Sequence, residues 1–112
     1  MLCRRKNDNK KTREEVFFTI SGVRHYLGTE FMKEGMEVKL IKEPDNEYDK
    51  EAIRVEMRGA GKVGYVGNSV NTVMGESMSA GRIYDRIGDT ASGVILLVTP
   101  NWAICELVKG EK

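Results

Sequence analysis

The sequence is poor in the residues that usually announce chemistry. Among 112 residues there is one histidine, His25, and there are two cysteines, Cys3 and Cys105, with no CxxC pair. That excludes a structural zinc site of the usual Cys/His type. The two cysteines, one in a polar terminal stretch and one in a late apolar run, read as free thiols. No apolar run approaches the ~20 residues of a membrane-spanning helix. The opening "MLCRRKNDNKK" is basic but has no apolar h-region, so it does not read as a secretory signal, and the expected location is the cytoplasm. Neither charge sign dominates, since the net is +1. It is unevenly spread, however: Met1 to Arg13 holds six basic residues against one acid, a net of +5, which leaves −4 for the remainder. Residues 1–15 are therefore expected to form a basic, disordered tail, and 16–112 a single domain. The tail has two readings, a solvated terminus or a non-specific arm for phosphates.

What is present is period-two patterning. "VFFTISGV" (Val16 to Val23) is rich in β-branched and aromatic residues. "MEVKLI" puts Met36, Val38 and Leu40 on one face and Glu37 and Lys39 on the other. "AIRVEMRG" does the same with Ile53, Val55 and Met57, and the turn-forming "GAG" joins it to "KVGYVG" as a hairpin. "GVILLVT" and "WAICELV" flank Pro100-Asn101, a natural turn pair. Between the fourth and fifth strands the period changes. Val70, Val73, Met74 and Met78 share one helical face, with Asn68 or Ser69 as cap and Gly81 as terminator. "GRIYDRIGDT" reads either as a second short helix or as a turn. The order predicts a mainly β fold, a small six-stranded closed barrel with one or two short helices.

Catalytic readings find little support. No nucleophile is tied to His25 by a motif. Glu43, Asp45, Glu47, Asp49 and Glu51 alternate, and an extended chain would put them on one side. A metal-dependent hydrolase using Asp45, Asp49 and Glu51 is one reading, but "DNEYDKE" lacks the glycine and spacing of an EF-hand loop. "GAGKVGYVG" fits neither the Walker pattern nor a dinucleotide fingerprint. No cofactor is implied. A binding reading does better. Arg24, His25 and Tyr26 leave the first strand together, Tyr48 and Asp49 stand at the start of the third, and Tyr65 lies on the fourth. If these strands are neighbours, aromatic rings that can stack on bases converge with polar groups.

Three stretches, "SGVRHYLG" (Ser21–Gly28), "EPDNEYDKEAIRV" (Glu43–Val55) and "KVGYVG" (Lys62–Gly67), resemble the HIRAN domain in residue types, order and spacing. "SAGRIYD" (Ser79–Asp85) is similar to the stand-alone bacterial and phage members. The resemblance spans about residues 16–108. It implies a six-stranded barrel related to oligonucleotide-binding folds, without catalysis of its own. In the translocase-borne members it implies binding of the 3′ end of single-stranded DNA during remodelling of stalled replication forks. Carried onto this chain, it makes Arg24 a phosphate contact, and His25 and Tyr26 packing groups at the terminal nucleotide. Asn46, Tyr48 and Asp49 become the turn in which the tyrosine stacks on a base and the aspartate accepts from the free 3′-hydroxyl. Asn68 stands where DNA-binding members carry a lysine, and Tyr65 replaces another polar contact. The expected partner is a single-stranded DNA 3′ end, with a helicase or translocase as a candidate protein partner. The rival expectation, motivated by the acidic body, is a protein-interaction module with no nucleic-acid role.

Overall fold

Alternating side chains build a barrel when each strand's inner set can meet the others. The computed structural model of the protein describes residues 15–69 and 72–110. All but the last residue of the expected tail therefore lie outside the described part. Six strands, β1 (Phe17–Ser21), β2 (Glu37–Lys42), β3 (Ile53–Met57), β4 (Gly61–Val66), β5 (Thr90–Val98) and β6 (Ala103–Gly110), close an antiparallel barrel in the order β1-β4-β3-β2-β5-β6, with β6 returning to β1. The expected six-stranded barrel is what is found. Among the described residues its helical content is a single short α-helix, α1 (Ala80–Tyr84), and one 3-10 turn (Val23–His25). No helix among the described residues is long and apolar enough to cross a membrane.

The inner face carries Phe18, Ile20, Val38, Leu40, Ile53, Val55, Val63, Ile95 and Cys105, all buried. Ile83 and Ala80 bring the buried side of α1 onto the same core. Met36, expected on the inner face of β2, instead precedes the strand and is exposed. Burial raises the Cys105 thiol to about 12, so it behaves as a small core hydrophobe. At Gly93 a Cβ would stand 2.9 Å from the Phe18 ring, so this position on β5 makes room for that side chain.

β1 and β4 pair only through Ile20–Val66 and Ser21–Tyr65. The outer half of β1 would be left with unpaired backbone groups, which is costly inside a fold. The chain after β4 supplies the partners. The Gly67 N–H donates to the Thr19 carbonyl at 2.8 Å and the Met78 N–H donates to the Phe17 carbonyl. The buried Thr19 hydroxyl donates to Ser77 Oγ at 2.8 Å and accepts from the Met74 N–H at 3.1 Å.

This lacing overturns the helix expected over Val70 to Met78. Val70 lies outside the described residues, and 72–78 form turns, not a helix. The Met74 and Met78 amides are claimed by β1, and Gly75 takes the left-handed φ of 58°, which interrupts helical backbone. The helix comes one segment later. Gly81, expected as a terminator, sits in its first turn, and Ser79 caps it.

Candidate nucleic-acid interface

The loop between β2 and β3, residues 43–52, owes its shape to Asn46. Its side-chain carbonyl accepts from the Tyr48 N–H at 2.8 Å and the Asp49 N–H at 3.0 Å, an Asx-type turn. Its amide donates to Glu43 Oε1 at 3.0 Å. Both ends of the Asn46 side chain are thus engaged within the loop, so it orders the turn as well as lining the site. The turn has one conspicuous product. Tyr48 is 91% exposed, and no hydrogen bond or ring contact of its side chain is present among the described residues. An aromatic ring displayed in this way gains nothing for the fold.

Asp49 lies beside it, half-buried. Its Oδ1 accepts from the Glu51 N–H at 2.9 Å, and its Oδ2 accepts from Asn68 Nδ2 at 2.9 Å. Asn68 Oδ1 in turn accepts from the Gly81 N–H at 2.8 Å. One side chain therefore ties the loop to α1. Each Asp49 oxygen keeps acceptor capacity for a ligand hydroxyl.

Tyr26, Asn46, Tyr48, Asp49, Tyr65 and Asn68, with Ala52, Val66, Ser69 and Thr72, line one open groove of ≈ 520 Å³ beside the outer face of β4. Five of the seven residues singled out in the sequence are thereby brought together. Arg24 and His25 lie just outside it, exposed on the 3-10 turn that leads into Tyr26. A second groove, ≈ 590 Å³, opens at the opposite ends of β2 and β3 and is lined by Met36 to Lys39, Glu56 to Arg58, and Ser92. It has no aromatic ring and is the weaker candidate despite its size.

The sequence reading missed the polar cluster that supports the groove. Tyr65 Oη donates to Glu43 Oε1 at 2.8 Å and accepts from Lys62 Nζ at 3.0 Å. Arg54 bridges Glu43 at 3.1 Å and Glu56 at 2.7 Å. Tyr65 thus offers the groove its ring, while its proton is held internally. Its phenol titrates above the ordinary range, first because of burial and further because of its bond to Glu43. Register is the missing signal: Arg54 faces Tyr65 across the β3–β4 pair, and Glu56 faces Lys62 past a bulge.

Burial pushes the Glu43 carboxyl upward, but hydrogen bonds from Asn46, Tyr65 and Arg54 outweigh it and hold the group below its ordinary 4.5. A folded-state value below the unfolded one means that this stabilisation is complete above the ordinary carboxylate range. It is lost as pH falls through the folded value. Urea midpoints of the parent should therefore decline below about pH 4.5 more steeply than those of Glu43→Gln. Parallel curves for the two proteins would contradict the assignment.

The alternating carboxylates do not converge. The segment is a series of turns, not an extended chain, and among the described residues no three His, Cys, Asp or Glu side chains are placed to share a metal ion. Asp49 instead uses its carboxylate to accept from the Glu51 backbone N–H.

Comparison with known proteins bears on the family and the fold. The sequence matches the HIRAN domain family model over residues 13–96. The crystal structure of the HIRAN domain of human HLTF is 20% identical, with a TM-score of 0.64, over 88% of this chain and 77% of that one. A protein from Lactobacillus plantarum is 20% identical, with a TM-score of 0.57, over 86% of this chain and 97% of that one. At that identity the two structures speak for the fold. A search of curated proteins finds no match.

Proposed function

The chain belongs to the HIRAN domain family, and from that premise we propose that it is a cytoplasmic, non-catalytic module that binds the 3′-hydroxyl end of single-stranded DNA during repair or replication-fork processing. Family membership supports a nucleic-acid-binding role. The finer reading rests on one observation, the pairing of the displayed Tyr48 ring with the Asp49 carboxylate at the rim of a groove lined by Tyr26 and Tyr65.

Tyr48 stacks on a base, and the Tyr26 and Tyr65 rings extend the apolar floor for its neighbour. Asp49 accepts from the terminal 3′-hydroxyl. A phosphate in that place would meet a carboxylate and be repelled, and an internal nucleotide would offer no donor. Arg24 and His25, on the turn beside the groove, face the strand's phosphates and terminal base.

Amide chemical-shift mapping with a short 3′-hydroxyl oligonucleotide tests the location. Shifts concentrated in 24–26, 46–49 and 65–68 are expected. Shifts confined to the groove of Met36 and Arg58, or none at all, would overturn the assignment and favour a protein-docking role. Asp49→Ala is expected to bind a 3′-phosphate strand as well as a 3′-hydroxyl strand, which direct competition between the two would read.

A further inference from the structure

Lys62 lies on β4 three residues before Tyr65, across the irregularity in the β3–β4 register. Its ammonium lies 4.9 Å from the Tyr65 ring centroid and 5.4 Å from that of Tyr26. Both rings line the groove. The amine is thus held beside the site by the rings of two lining residues, an arrangement favourable to a cation. A bond to Tyr65 Oη fixes it further and favours its charged form.

Two carboxylates stand close enough to neutralise this charge, and both are engaged elsewhere. Glu56 faces Lys62 across the strand pair, but its Oε2 is taken by Arg54 Nε at 2.7 Å. Glu43 feels the Lys62 charge and is linked to it through the Tyr65 hydroxyl, but its hydrogen bonds come from Arg54, Asn46 and Tyr65. Lys62 makes no ion pair with a carboxylate among the described residues. The result is a positioned cation beside the groove, behind two of its lining rings, that feels the charge of Glu43 but forms no ion pair with a carboxylate among the described residues. Its remaining donor capacity suits an anion that arrives with the ligand.

We propose that Lys62 is a phosphate-binding residue, contacting a backbone phosphate of the single strand whose bases lie along Tyr26, Tyr65 and Tyr48. This rests on the strand-end reading above and adds to it a backbone contact independent of the end. Arg54 is a positioning residue in this arrangement: by holding Glu43 and Glu56 it keeps Lys62 free for phosphate.

The test is a salt titration of binding to a labelled single strand by the full chain, the Lys62→Gln variant and the Lys62→Arg variant. Each phosphate neutralised on a single strand contributes about 0.7 to the slope of log K against log salt. Lys62→Gln keeps much of the stem and loses the charge. Its slope is expected to be shallower by ~0.7, with the parent's preference for 3′-hydroxyl over 3′-phosphate intact. Lys62→Arg is expected to keep the parent slope. A Lys62→Gln variant with the parent's slope and affinity overturns the proposal, as does a parent that binds no single strand. The strand-end reading fails separately: a parent that ignores the terminal group while Lys62→Gln still flattens the slope retains the phosphate contact and loses the end pocket.

Discussion

Tyr48→Ala is expected to weaken binding of a single-stranded 3′ end by ~1–3 kcal/mol, about fivefold to more than a hundredfold, and to leave the stability of the barrel within about 0.5 kcal/mol of the parent. The two halves of this expectation come from the same fact. At 91% exposure the ring contributes almost nothing to the core, so removing it creates no cavity. Its backbone stays in place because Asn46 holds the turn through main-chain amides that alanine also possesses. Only the stacking surface is lost. Tyr48→Phe should retain most of the affinity, because the stacking face survives. Fluorescence anisotropy measures the affinity and urea unfolding the stability. Parent-like binding by Tyr48→Ala would remove the stacking platform from the account.

Gly67→Ala carries the largest expected cost to the fold. A Cβ at that position would stand 2.1 Å from the Thr72 carbonyl oxygen and 2.7 Å from its carbon, so the obstacle is backbone. Moving Gly67 away is no easier. Its N–H donates to Thr19 and its carbonyl accepts from Ala80, both at 2.8 Å. Relief of the clash must strain one of these bonds or displace 68–79. Overpacking of this kind typically costs ~1–3 kcal/mol and sometimes more. Asn68 follows directly and holds Asp49 and α1, so selectivity for the 3′-hydroxyl should fall with stability. A shift in urea midpoint reads the first effect. An alanine variant as stable as the parent would mean that the chain after β4 does not close over the barrel as described.

The strands were legible because their signal is local. Val38 and Leu40, or Ile53, Val55 and Met57, declare an inner face by alternation alone, and all five are buried. The chain from 70 to 78 misled for a non-local reason. Its apolar spacing fits a helix, but the Met74 and Met78 amides are taken by Thr19 and Phe17, more than fifty positions earlier. No window of sequence contains that competition. The site divides in the same way. Tyr48 stands out in a turn that does not need it, and the family resemblance gave it and the neighbouring Asp49 roles. Arg54 and Lys62 did not stand out, and Glu43 and Asn68 were marked for other reasons, one as an alternating carboxylate and the other as a helix cap or a missing lysine. Their importance depends on the β3–β4 register, with its bulge between Val55 and Glu56, and on α1 coming to rest beside the loop. Charged residues on a strand ordinarily mark only a solvated face. Here one arginine between two carboxylates turns such a face into the support of a groove.

The most direct test of the central claim is an anisotropy titration of the parent chain with two short single strands, identical except that one ends in a 3′-hydroxyl and the other in a 3′-phosphate. Tighter binding of the hydroxyl strand, persisting at moderate salt, is the predicted result, because the proposed contact is to Asp49, a half-buried group only partly exposed to screening. Equal binding of the two strands, fading together as salt rises, would contradict it and leave only a charge-driven association with the backbone.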